Sequence, residues 1–252
     1  MNKRKILISL LSVMIIASFT MAVSSCSSGG GKGEAGSESK EETKTMSYEI
    51  SDVVFVQKED GLGDKYFYGI VEITNTGDCG IYMKDCSFDL EDDDGHLLQT
   101  EKYTSHCPDV IAPGQKGYFY NGYGSIDDSV SLDNGIRLVP NVNLIEATGS
   151  DEEMYSEYEV TDTDLREGDY WGPKVTGRVT NNLSEGETLV NVYVIFYDND
   201  GKVLSIGGTY IDDLPAGSTQ SFEYEGMFSS SVDFDDIADY TVICRPEYHQ
   251  YR

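Results

Sequence analysis

The side chains that could do chemistry in this sequence are mainly carboxylates, and they come in runs: Asp92-Asp93-Asp94, Asp127-Asp128, Asp198 with Asp200, and Asp233 with Asp235-Asp236. Hard oxygen donors gathered from several loops are what Ca²⁺ takes, and a module outside the cell can use a weak site because calcium is abundant there. No run has the twelve-residue spacing of an EF-hand loop, and the same aspartates serve equally as turn formers and solubilising charge. Calcium is one reading of them and turn chemistry the other. Catalytic arrangements are scarcer. His96, His106 and His249 stand in no triad-like context, and none lies near a Gly-x-Ser-x-Gly turn. Carboxylates are so numerous that picking an acid and base pair is arbitrary. Hydrolysis of a cell-wall polymer, which needs two at a defined separation, is a remote alternative. Gly29-Gly30-Gly31 and Ile206-Gly207-Gly208 read as tether and strand, so no phosphate-cradling loop is present. Aromatics could grip a sugar or peptide, because Tyr66, Phe67 and Tyr68, and Tyr118, Phe119 and Tyr120, must alternate between the faces of a strand. Cross-strand pairing within a sheet is the competing use.

The chain carries 18 Lys+Arg against 45 Asp+Glu, a formal charge of -27 over 252 residues. Such a field excludes nucleic acid as a partner, since binding phosphates requires clustered cations. With 39% hydrophobic residues the chain still has enough apolar side chains for a packed core.

Five cysteines divide by context. Cys26 ends a basic start, Lys3, Arg4 and Lys5, and an apolar stretch from Ile6 to Val23, the layout of an export signal over residues 1–25. Val23-Ser24-Ser25-Cys26 resembles the lipobox of bacterial lipoproteins, which implies cleavage before Cys26 and a diacylated thiol that anchors the mature chain in the cell membrane on its extracytoplasmic side. Two acyl chains on one residue hold stably where one would not. Losing Lys3, Arg4 and Lys5 leaves 15 basic residues against 45 acidic ones, a charge of -30. Residues 26–46 are Gly/Ser/Lys/Glu-rich and read as a disordered tether with a reach of about 25 Å. In an exported chain a disulfide is permitted, and Cys79 to Cys107 is the expected bridge, worth about 3–4 kcal/mol. A zinc site from Cys79, His106 and Cys107 lacks a paired CxxC and a fourth ligand. Cys86 and Cys244 read as small buried hydrophobes.

The elements that must position these residues repeat. Val71-Glu72-Ile73-Thr74-Asn75 falls on Gly177-Arg178-Val179-Thr180-Asn181, Phe88 to Asp92 falls on Val194 to Asp198, and Gly95 falls on Gly201. Pro113-Gly114 and Phe119 meet Ala216-Gly217 and Phe222 after a three-residue insertion around Cys107. Short alternating runs punctuated by Gly, Asn, Asp and Pro predict strands, with Val190, Val192, Val194 and Phe196 on one core-facing side. Asp94-Gly95 and Asp200-Gly201 predict hairpin turns. The fold expected is all-β, two tandem immunoglobulin-like β-sandwich domains of six or seven strands, over residues 47–148 and 149–252.

Gly177-x-Val179-x-Asn181, the strand ending Phe196-Tyr197-Asp198-Asn199-Asp200-Gly201, then Leu214-Pro215-Ala216-Gly217 and Phe222, resemble the FxLYD domain of bacterial surface lipoproteins. The second copy is the better match; the first has Val71 for the Gly and Glu91 for the Tyr. The resemblance implies a β-sandwich at the cell surface and no shared catalytic apparatus. Successive antiparallel strands also put alternate loops at one end, so each sandwich should carry an acidic end. For the first these loops hold Glu59, Asp60 and Asp64, then Asp92, Asp93 and Asp94, then Asp127, Asp128 and Asp133. The function expected is a non-catalytic binding or spacer module with an unidentified extracellular protein or glycan partner.

Overall fold

A computed structural model describes residues 44–59, 62–131, 135–150, 154–169, 172–226 and 232–248. The expected signal peptide, Cys26 and nearly all of the tether lie outside the described residues, as do Asp60, Asp133, Trp171 and His249.

The protein is all-β. In the first unit β1 (Tyr48–Glu59) and β2 (Lys65–Asn75) form a long hairpin, paired from Tyr48 with Asn75 to Glu59 with Lys65. There follow β3 (Ile81–Met83), β4 (Ser87–Glu91), β5 (Leu97–Glu101), β6 (Ser105–Cys107), β7 (Val110–Ile111), β8 (Lys116–Tyr120), β9 (Gly124–Ser125), β10 (Arg137–Asn141) and β11 (Leu144–Glu146). One sheet has the order β1-β2-β8-β6, with β9 also on β2; the facing layer consists of β10-β4-β5 and β11-β3-β7. The second unit has β12 (Glu159–Glu167), β13 (Pro173–Thr180), β14 (Glu187–Tyr197), β15 (Val203–Leu214), β16 (Thr219–Glu225) and β17 (Asp239–Pro246), in two sheets, β12-β13-β16 and β15-β14-β17.

The first unit has more and shorter strands than expected because its long ones are broken. Ile81 to Glu91, split between β3 and β4, corresponds to the unbroken β14. The break is at Asp85, whose φ of 53° is a left-handed conformation that ends a strand. It lies opposite a second break between β10 and β11, where the carbonyl of Asn143 accepts the Lys84 N–H at 2.8 Å. Leu97 to Ile111 likewise corresponds to β15 but is cut in three. With the inserted residues, β6 leaves its sheet and pairs with β8 of the other one, Cys107 opposite Tyr118.

The repeat survives in detail at two wholly buried asparagines. Asn75 Nδ2 donates to the carbonyls of Cys79 (2.8 Å) and Ile111 (2.9 Å), and its Oδ1 accepts the Gly77 N–H. Asn181 makes the same three bonds to Glu185, Leu214 and Leu183. Each side chain ties a strand end to two later turns, so the two sheets of a sandwich are fixed at the same corner in both copies.

Three apolar clusters stack the layers. Phe67, Val71, Ile73, Phe88, Leu90, Ile111 and Phe119 fill the first sandwich. Val175, Val179, Val190, Val192, Val194, Phe196 and Phe222 fill the second, with the four predicted side chains of β14 all wholly buried. The third lies between the sandwiches: Tyr68, Ile70, Tyr118 and Tyr120 on the outer face of β2 and β8 meet Tyr193, Ile195, Val203 and Ile206 on β14 and β15. The result is four sheet layers face to face.

Candidate functional site

The chain enters the first sandwich at one pole and shows its acidic loops at the other. Thr45 and Ser47 are hydrogen-bonded to Thr76, Gly77 and Asp78, at the β2–β3 connection. β1 then runs to Glu59, and at a rise of about 3.3 Å per residue its twelve residues span roughly 35 Å. The far pole is where Lys65 Nζ donates to the carbonyls of Asp128 (3.2 Å) and Val130 (2.6 Å), joining the first loop to the fifth. Gln99 donates to the Ser125 carbonyl and accepts the Asp127 N–H, and Arg137 pairs with Glu91 at 2.6 Å, joining the third loop to the fifth. The three loops predicted to share an end therefore do so in the first sandwich.

Two of the aspartates there, Asp92 and Asp127, fasten their own turns. Asp92 Oδ1 accepts the His96 N–H at 2.8 Å and Oδ2 lies 3.0 Å from His96 Nδ1. These hydrogen bonds hold the Asp92 carboxyl below its usual range. Asp127 accepts from the Ser129 N–H and hydroxyl, which likewise lowers its carboxyl. Asp198 accepts the N–H groups of Asp200 and Lys202, repeating the Asp92 turn in the second copy, with Gly95 and Gly201 at positive φ as the turns require. Asp92, Asp94 and His96 put three ligand atoms within 4.8 Å of one another. Among the described residues Asp93, Asp127, Asp128, Asp198, Asp200, Asp233, Asp235 and Asp236 join no such group of three.

The second sandwich spends part of its acidic end on the first. Its Asp198–Lys202 turn abuts the outer face of β1, β2 and β8, where Lys202 Nζ lies 3.6 Å from Asp52 Oδ2. Asp233 and Asp236 act on Lys58 of β1, opposing the burial that pulls its ammonium down. Between turn and sheet is a cleft of about 200 Å³, lined in part by Asp52, Glu72, Lys116, Tyr118 and Asp200. Its charges are largely matched: Lys116 Nζ is 2.7 Å from Glu72, which also accepts from the Tyr118 hydroxyl at 3.1 Å. Burial and the Glu72 charge push the Tyr118 phenol well up.

The cysteines do not form the expected bridge. Cys79 and Cys107 are both buried free thiols. Cys79 sits in the β2–β3 turn, whereas β6 carries Cys107 onto the face covered by the second sandwich, so the two belong to different surroundings. Cys86 and Cys244 are buried in the two cores as expected. The alternating aromatics also land differently. Phe67 and Phe119 point into the core, but Tyr68, Tyr118 and Tyr120 are covered by the second sandwich instead of facing solvent. The Tyr68 hydroxyl accepts the Ile206 N–H at 2.7 Å and reaches its carbonyl at 3.3 Å. Buried Arg245 of β17 bridges Glu157 and, at 3.5 Å, Gln115 of the first sandwich. This interface was the principal feature missed from sequence. Its signal in the sequence is the unbroken runs without a charged residue from Phe67 to Val71 and from Val192 to Phe196, strands apolar on both faces, which the structure buries throughout.

No family model matches the chain, and no curated protein matches it. Among solved structures it is similar to the secreted serine protease VesC from Vibrio cholerae, at 13% identity and a TM-score of 0.16 over 77% of this chain and 49% of that one. The chain thus spans about half the length of that protease. It is also similar to the CBM22-1–CBM22-2 tandem domain of Xyn10C from Paenibacillus barcinonensis, at 10% identity and a TM-score of 0.17 over 82% and 86%. Neither likeness carries an argument about function.

Proposed function

We propose that the chain is a membrane-anchored extracytoplasmic lipoprotein related to FxLYD-domain proteins, whose double sandwich is a non-catalytic binding module. The observation that carries this reading is the polarity of the first sandwich. Residues 45–47 enter the sandwich beside the β2–β3 connection, so a tether from an acylated Cys26 would attach at that pole and leave the loop pole, the length of β1 away, as the end farther from the attachment. Stacking the sandwiches face to face adds little reach, which favours binding over spacing. The cleft under the Asp198–Lys202 turn lends a wall-polymer hydrolase no support, because it is below the roughly 300–1,000 Å³ of ordinary ligand pockets and its Glu72 and Asp52 already hold lysines.

The test is Cys26→Ala in the native host. Release into the medium or accumulation of uncut precursor is expected. Unchanged processing and membrane retention would overturn the anchoring.

A further inference from the structure

Large exposed apolar side chains are few among the described residues, and several stand at the loop pole: Leu62 (90% exposed), Leu97 (60%) and Tyr123 (56%). Tyr123 is held in place by stacking on Tyr66, ring centroids 5.0 Å apart, and Tyr66 pairs with Ser125 at the same end of the sheet. Leu97 begins β5, an edge strand, two residues from the Gln99 that fastens the fifth loop. The leucines and the Tyr123 ring expose apolar surface whose burial would be favourable, and the stacking on Tyr66 fixes the ring of Tyr123.

Their surroundings select what could cover them. Asp64, Asp92, Asp93, Asp94, Asp127 and Asp128 share the pole with Lys65, whose charge acts on Asp127 while it donates to two backbone carbonyls, and with Arg137, which pairs with Glu91, so carboxylates are in excess. A second copy of this chain would bring the same acidic field and be repelled, and so would an anionic bilayer. The charge is complementary to a polypeptide that presents lysine or arginine beside apolar residues. Such a segment could lay its apolar side chains on Leu97 and Tyr123 while its cations meet the aspartates around them.

We infer that the loop pole of the first sandwich is a docking surface for a basic, apolar-bearing polypeptide segment. This rests on the binding-module reading and gives that module a partner class. Its test does not depend on lipid attachment, because binding is measured on the detergent-solubilised full chain, so it can fail while the anchoring stands, or the reverse.

The probe is a synthetic peptide alternating lysine and leucine, followed by fluorescence anisotropy. Beside it are a peptide of equal charge with serine for leucine, and vesicles of phosphatidylglycerol. Binding of the lysine–leucine peptide is expected, weakened at least tenfold by the double substitution Leu97→Ser with Tyr123→Ser, and also by Asp93→Asn with Asp128→Asn. Tyr210→Ser, at a residue of the second sandwich that is 62% exposed, should leave it unchanged. Equal binding of the lysine–serine peptide would overturn the inference, as would vesicle binding in preference to peptide. An equal loss from Tyr210→Ser, or no loss from the double substitution with the fold intact by circular dichroism, would overturn it too.

Discussion

Asn75 and Asn181 are polar side chains with no access to water, and both are retained at the same corner of each repeat because each satisfies three backbone groups that no apolar residue could. Alanine at either position would leave two carbonyls and an N–H buried without that partner. Asn75→Ala and Asn181→Ala should each destabilise the protein by about 3 kcal/mol. Urea denaturation at equilibrium checks this, and a loss under 1 kcal/mol for either would remove the corner from the account. At this scale the sequence was informative where local chemistry decides. Asp-Gly turns formed as read, because positive φ is a property of one residue and its neighbour. The expected bridge between Cys79 and Cys107 does not form, because the partner of each thiol depends on which way a rerouted strand turns its side chains, and that is not local.

Among the elements, β13 and β2 show how one strand position is solved twice. Gly177 pairs with Phe222, and a Cβ there would lie 2.6 Å from the Phe222 ring, so the ring lies across the strand. In the first copy Val71 takes that position opposite Phe119, whose ring is turned onto Phe88 instead, with centroids 5.0 Å apart. The departure from the Gly pattern is thus compensated by a different aromatic packing. Gly177→Val should cost about 2 kcal/mol through displacement of Phe222. The melting temperature of the variant reads this out, and an unshifted melt would mean that the ring has room to move. Alternation gave the core side of β14 correctly, since burial on one face is encoded in every second residue. Burial of the other face was equally visible in the composition of the strand, but only as part of a run that a two-layer sandwich does not need.

At the scale of the whole molecule the third cluster makes the two sandwiches one object. Ile70 and Ile195 are wholly buried in it, and each such side chain contributes about 1.5–3 kcal/mol of transfer energy. The protein should therefore unfold in a single calorimetric transition, with a calorimetric enthalpy equal to the van't Hoff value. Ile195→Asp would place an unpaired charge between the layers and split the melt in two. Two transitions in the unsubstituted protein would show that the sandwiches are thermodynamically separate. The all-β class and the repeat were legible because each is a sum of many local signals. How the copies meet was not, because it is set by a handful of side chains from strands far apart in sequence.

The hairpin of β1 and β2 has a mechanical meaning as well. If the chain is held by the segment that leads into β1 and pulled at the loop pole through a strand other than β1, the load passes from β1 to β2 across hydrogen bonds that lie perpendicular to the strands. The eleven register pairs of that hairpin then share the load in shear, rather than being peeled apart one after another.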